Sequence, residues 1–169
     1  MSTLSNKEIH LLVELLDRCQ PGRLLPEVFE AVGRIIVSPA VEFIPLRKKG
    51  NHIEVLLLKR PSDDIIWPSM LHTPGTVLRP SDKSFEDAFK RLLEDELVGI
   101  KTDLPVFMGA HISSNKRGRC LLLEHLVVVN EEPVAGTFYR IDDLPDKFIA
   151  DQKASLDRAV VFYNNLQHL

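Results

Sequence analysis

The densest group of chemically capable residues lies between Trp67 and Ile100, in WPSMLHTPGTVLRPSDKSFEDAFKRLLEDELVGI. The spacing of Phe85, Ala88, Phe89, Leu92 and Leu93 predicts a helix from Phe85 to about Leu97 with those five towards the core. Ser84 is its expected N-cap, with Asp87 completing an approximate capping box. Asp95 and Glu96 fall side by side near its C-terminal end, where the macrodipole disfavours negative charge. A bound cation would offset that repulsion, as would Arg91, which stands at i, i+4 spacing from Asp95. A solvated acidic face is the plainer reading of the same pair. Arg60, Arg79, Lys116, Arg117 and Arg119 can meet phosphates if their loops converge. Trp67 either stacks on a base or anchors the core. His72, just before the helix-breaking Pro74-Gly75, either faces a ligand or is packed. Glu124, Glu131 and Glu132, in or after a later strand, are surface groups or a remote carboxylate for the same site.

These residues need a scaffold, and the pattern of the chain supplies one. Its 169 residues suggest one domain with a modest extension. Ile9, Leu12, Val13 and Leu16 form a helical stripe capped by Ser5 or Asn6, with Leu11 and Leu15 widening it. Gln20-Pro21-Gly22 ends that helix, and a second starts at Pro26 and runs towards Gly33. Residues 1–38 thus read as a helical N-terminal extension, which either caps the core or joins two copies in a homodimer. From Pro39 the period becomes strand-like: VEFIPL and IEVLLL flank the turn RKKGNH, whose basic residues read as solvated. Strands follow at 106–111, 121–129 and 137–141, with SNKRGR as a polar loop, and a helix at about 151–165 closes the chain. Helices on both sides of a mixed sheet make an α+β, α/β/α layered domain over residues 39–169.

The ordered motifs resemble the Nudix family. The loop and helix resemble the Nudix box, G-x5-E-x7-R-E-U-x-E-E-x-G-U with U aliphatic. VLLLKRPSDDIIWPSMLHTPGT resembles the strand and turn before it, and AGTFYRIDDLPDKF the strand and acidic turn after it. The resemblance implies a Nudix-like sandwich. It also implies a hydrolase that cleaves a nucleoside diphosphate linked to another moiety. In that reading Asp95 and Glu96 hold Mg²⁺ or Mn²⁺ and Glu96 takes part in catalysis. Arg91 orients the acidic pair, while Gly75, Arg60 and Trp67 meet the substrate.

The box is degenerate. Thr76 stands at the second glycine, Lys83 at the first glutamate, and Leu92 at the glutamate after the arginine; Val98 is an extra residue. These departures motivate the other reading, a catalytically silent Nudix-fold module that binds a nucleotide or a protein partner.

Composition bounds the rest. Twenty-one Lys and Arg against 24 Asp and Glu leave a net charge of −3, which argues against nucleic-acid polymers and polybasic membrane anchoring. No run approaches the ~20 apolar residues of a membrane span. Cys19 and Cys120 lack zinc spacing and read as reduced thiols, so the expected compartment is the cytoplasm.

Overall fold

The computed structural model describes residues 4–20, 24–100, 102 and 104–166. Helix α1 (Asn6–Asp17) starts at Ser5, whose hydroxyl accepts from the Glu8 N–H while the Glu8 carboxylate accepts from the Ser5 N–H. Of the two expected caps, Ser5 is the one used. Helix α2 (Pro26–Gly33) has Pro26 in its first turn, where a missing N–H costs nothing. The expected break at Pro21-Gly22 lies outside the described residues.

Strand β1 (Val37–Lys49) turns at Gly50-Asn51 into β2 (His52–Lys59). Two short strands, β3 (Leu71–His72) and β4 (Gly75–Val77), precede α3 (Phe85–Asp95). Then come β5 (Val106–Asn115), β6 (Gly118–Val128) and β7 (Thr137–Arg140). A turn of 3-10 helix, Ala150–Gln152, leads into α4 (Lys153–Leu166). The sheet order is β3-β2-β1-β6-β5. β1 runs parallel to β6 and antiparallel to β2, and β4 and β7 pair with β1 and β2.

Alternation along the central strands divides their apolar side chains between two faces. Val41, Phe43, Leu56, Val127 and Val129 meet Ala88 and Leu92 of α3. Ile44, Leu46, Val55, Leu57 and Leu126 meet Leu156, Ala159 and Tyr163 of α4. The result is the α/β/α sandwich with a mixed sheet that the pattern implies. Both faces are covered, which is why β1 and β2 read as nearly continuous apolar runs. Among the described residues no helix is long and apolar enough to cross a membrane.

Three expectations need correction. Arg47 belongs to β1 rather than to a solvated turn: it is buried, pairs with Glu54 at 2.7 Å and Glu132 at 2.8 Å, and lies over the Phe138 ring. Phe85 is half exposed, because it opens the helix before its apolar stripe reaches the sheet. SNKRGR is not a loop between separated strands; β5 and β6 extend through it and turn on Lys116-Arg117 alone.

That tight hairpin is what α2 docks on. Arg117 pairs with Glu30 at 2.8 Å, and its guanidinium lies 5.4 Å from the Phe29 ring centre. Gly118, at φ +132°, leaves no room for a side chain, since a Cβ there would lie 2.2 Å from the Gly33 carbonyl oxygen. Gly118→Ala therefore combines backbone strain with a clash against backbone that cannot rotate away. The expected outcome is a loss of about 2–4 kcal/mol in urea unfolding. An unchanged midpoint would show that α2 is not seated on this turn.

Candidate functional site

A cleft of about 190 Å³ opens where β1, β4, the β5–β6 hairpin and the C-terminal end of α3 meet. It brings together Glu96, Gly75, Arg60 and Trp67 of the expected site with Arg117, though not Arg79, Lys116 or Arg119, of the basic candidates, and adds Glu42, Thr73 and Gln152.

Arg60 directly follows β2 and is held by Asp64 at 2.6 Å. The other Asp64 oxygen accepts from the backbone N–H groups of Ile66 and Trp67, so one carboxylate fixes both the cation and the turn that presents the indole. The guanidinium groups of Arg60 and Arg117 lie 5.9 Å and 5.2 Å from the Trp67 ring centre. Two cations beside an aromatic face suit a phosphate-bearing ring compound: charge-assisted bonds to phosphate and a platform for a base.

Opposite these stand two carboxyl groups. Glu96 caps the end of α3 and accepts from the Gly75 N–H at 3.1 Å. Burial pushes its carboxyl up to about 7, against the opposing effects of that hydrogen bond and of Arg60. Glu42 is buried in β1. Its Oε1 accepts from Thr73 Oγ1 at 2.6 Å and from Gln152 Nε2 at 3.0 Å, and Ser155 Oγ lies 3.4 Å from Oε2. Burial likewise raises it to about 7, with Glu124 adding to the shift. His72 also lines the cleft, but burial first, and the charge of Arg60 next, lower it to about 4, so it is neutral; its Nδ1 lies 2.7 Å from the Thr73 carbonyl oxygen.

Two expected site residues stand apart. Asp95 is solvent-exposed, a quarter-turn round the helix from Glu96. Arg91 does not pair with Asp95. It reaches back to Asp82 at 2.6 Å, to Thr76 Oγ1 and to the Val77 carbonyl, and so clamps the loop 76–82 to α3. Against the cost of burial, the Arg79 N–H and Arg91 hold the Asp82 carboxyl below its ordinary range. The expected capping box is also half formed. Ser84 accepts from the Asp87 N–H, but the Asp87 carboxylate accepts from the Lys83 N–H one residue earlier.

The donor set does not fit a metal ion held by the chain alone. Leu92 is 1% exposed and belongs to the core, Asp95 turns to solvent, and the Glu42 oxygens are engaged by Thr73, Gln152 and Ser155. Among the described residues no three His, Cys, Asp or Glu side chains are grouped as a metal centre.

The residues that sequence reasoning missed carried one signal. Glu42 interrupts VEFIPL and Glu124 interrupts LLLEHLVV, each a lone carboxylate in an otherwise apolar strand. Glu124 is fully buried, not a surface group, and pairs with Glu42 in register across β1 and β6. Glu131 and Glu132 are exposed.

No protein-family model matches the sequence, and no curated protein matches it. Solved structures do match the architecture. The NUDIX domain of Shewanella oneidensis NrtR, complexed with ADP ribose, aligns with 95% of this chain and 99% of its own, at a TM-score of 0.60 and 12% identity. The chain has a Nudix fold. The Ap4A hydrolase of C. elegans aligns with 76% of this chain and 99% of its own, at a TM-score of 0.57 and 15% identity. A mutT/nudix family protein from Listeria innocua covers the same 76%, and 95% of its own chain, at a TM-score of 0.58 and 13% identity. Helix α3 carries the segment that resembles the box, and the cleft lies at its C-terminal end.

Proposed function

We propose that this chain is a nucleotide-binding module that recognises a nucleoside diphosphate derivative without a metal ion of its own. The observation that carries this reading is the convergence of Arg60, Arg117 and Trp67 on one cleft to which α3 contributes a single carboxyl group, Glu96. The guanidinium groups neutralise the diphosphate, the indole stacks on the base, and the Gly75 turn brings backbone close to the ligand. Residues 1–38 are then an extension that shapes one wall through α2 and Arg117, and 39–169 the Nudix-like domain. Two unpaired cysteines suit the cytoplasm, which this reading assigns.

A second reading, hydrolysis of the same class of compound, is favoured by Glu96 and Glu42, both with carboxyls raised to about 7 in the cleft. A carboxylate poised there suits a general base for water attack on phosphorus. The Mg²⁺ or Mn²⁺ that the box resemblance implies would rest on Asp95 and Glu96, of which Glu96 lines the cleft and Asp95 faces solvent.

Calorimetric titration with ADP-ribose, in chelator and in excess Mg²⁺, separates the two when coupled to phosphorus NMR of the mixture. The binding reading expects equal affinity in both buffers and intact ligand. Mg²⁺-dependent cleavage that disappears in Glu96→Gln would install the hydrolase instead. No heat and no cleavage, with ADP-ribose or with nucleoside diphosphates, would overturn both.

A further inference from the structure

We propose that the ligand of the cleft is a nucleoside diphosphate whose second phosphate carries a hydrocarbon chain, and that this chain lies in a cavity between α2 and β4. The inference rests on the cleft reading proposed above and deepens it by naming the linked moiety.

At about 190 Å³ the cleft is too small for the whole of a nucleoside diphosphate derivative, since small-molecule sites measure ~300–1,000 Å³. A second cavity, of about 640 Å³, continues it. Gly75, Thr76 and Val77 of β4 line both, as does Arg117, so β4 is the sill between the two. The Arg117 guanidinium stands 5.2 Å from the ring centre of Trp67, which lines the cleft. It stands 5.4 Å from the ring centre of Phe29, which lines the second cavity. A diphosphate held by Arg117 thus has the indole for its base on one side and the second cavity for its other substituent on the other.

The walls of that cavity name the substituent. Phe29 and Val32 of α2, Ile36, Pro39 of β1, Leu78 and Pro80 line it. No carboxylate, the group that takes a ribose hydroxyl in dinucleotide sites, is among its described lining residues. Apolar walls reached past a cation suit a hydrocarbon chain esterified to the phosphate, because the chain leaves water while the charge stays at Arg117. The other cavity that Arg117 borders, of about 580 Å³, is lined by Glu27, Glu30, Asp63 and Asp64, whose charge opposes an anionic ligand on that side.

Calorimetric titration of the full chain, in chelator, with ADP-ribose and with the methyl and octyl esters of ADP tests this, since all three carry the same charge. The octyl ester is expected to bind about thirtyfold tighter than the methyl ester, at about fourfold for each methylene fully removed from water, and ADP-ribose no tighter than the methyl ester. Val32→Asn and Ile36→Asn change the second cavity and not the cleft. Each is expected to cut the octyl gain to about fivefold or less. Ile36 is half exposed, so its replacement does not cost the fold, and unchanged methyl-ester affinity reports that the cleft is intact. Equal affinities for the two esters would overturn the inference and leave the cleft reading standing, as would an octyl gain that survives both variants. No binding of any of the three compounds would overturn the cleft reading and this inference with it.

Discussion

Arg158→Met is expected to lower stability by about 3 kcal/mol at neutral pH, because it leaves a buried carboxylate without its cation. Glu124 is fully buried, and the cation that compensates it is Arg158, whose Nε donates to Oε2 at 2.9 Å and whose Nη2 donates to Oε1. Ser155 Oγ donates to Oε1 at 2.7 Å, and His111 Nε2 stands 3.5 Å from Oε2. Burial pushes the Glu124 carboxyl up, yet Arg158 and Ser155 together bring it below its ordinary value. A carboxylate lowered in the folded state adds stability above its unfolded value, and that stability is lost as pH falls through the folded value. Without Arg158 the balance reverses: a buried carboxyl with no cation rises, and the variant gains relative stability on acidification. Urea unfolding at pH 7 and pH 5 should therefore show the gap between wild type and Arg158→Met narrowing at the lower pH. A gap that is constant, or widens, would mean that removing Arg158 does not raise the Glu124 carboxyl.

The cleft carries the second large effect. Trp67→Leu is expected to weaken ADP-ribose binding about tenfold or more, through loss of stacking that is worth about 1–3 kcal/mol per base. Arg60→Gln removes a charge-assisted contact and releases Asp64 from its partner, with a loss of similar size. The two carboxyls add a pH dependence whose sign follows from their shift. Glu42 and Glu96 are raised to about 7, so both become negative as pH rises through that value and oppose an anion held by Arg60 and Arg117. Binding should be tighter at pH 6 than at pH 8, and Glu96→Gln should flatten the slope. Tighter binding at pH 8 would show that the phosphates do not lie beside these carboxyls.

Much of this fold was legible from local pattern. The four helices, the strand pair VEFIPL and IEVLLL, Pro26 at the start of α2 and Ser84 as N-cap all follow from periodicity and capping chemistry, which involve near neighbours only. Errors clustered where a distant partner decides. Arg47 looks like part of a basic turn until Glu54, Glu132 and Phe138 arrive from two other segments. SNKRGR looks like a loop because its polarity hides that Gly118 must admit the Gly33 carbonyl.

The sequence by itself determined which residue types were available to the site, and that Leu92 had replaced one carboxylate of the box. It also set the amphipathic faces that place α3 and α4 on opposite sides of the sheet. Only the tertiary structure decided how the charges are spent. Arg91 at i, i+4 from Asp95 had an equally good partner in Asp82, and the folded loop brings that one within 2.6 Å. Glu42 and Glu124 are far apart in sequence but face each other across parallel strands, where burial lifts one carboxyl and Arg158 lowers the other. Helical spacing reports the neighbours within one turn, whereas charge state depends on desolvation and on groups brought in by long-range pairing.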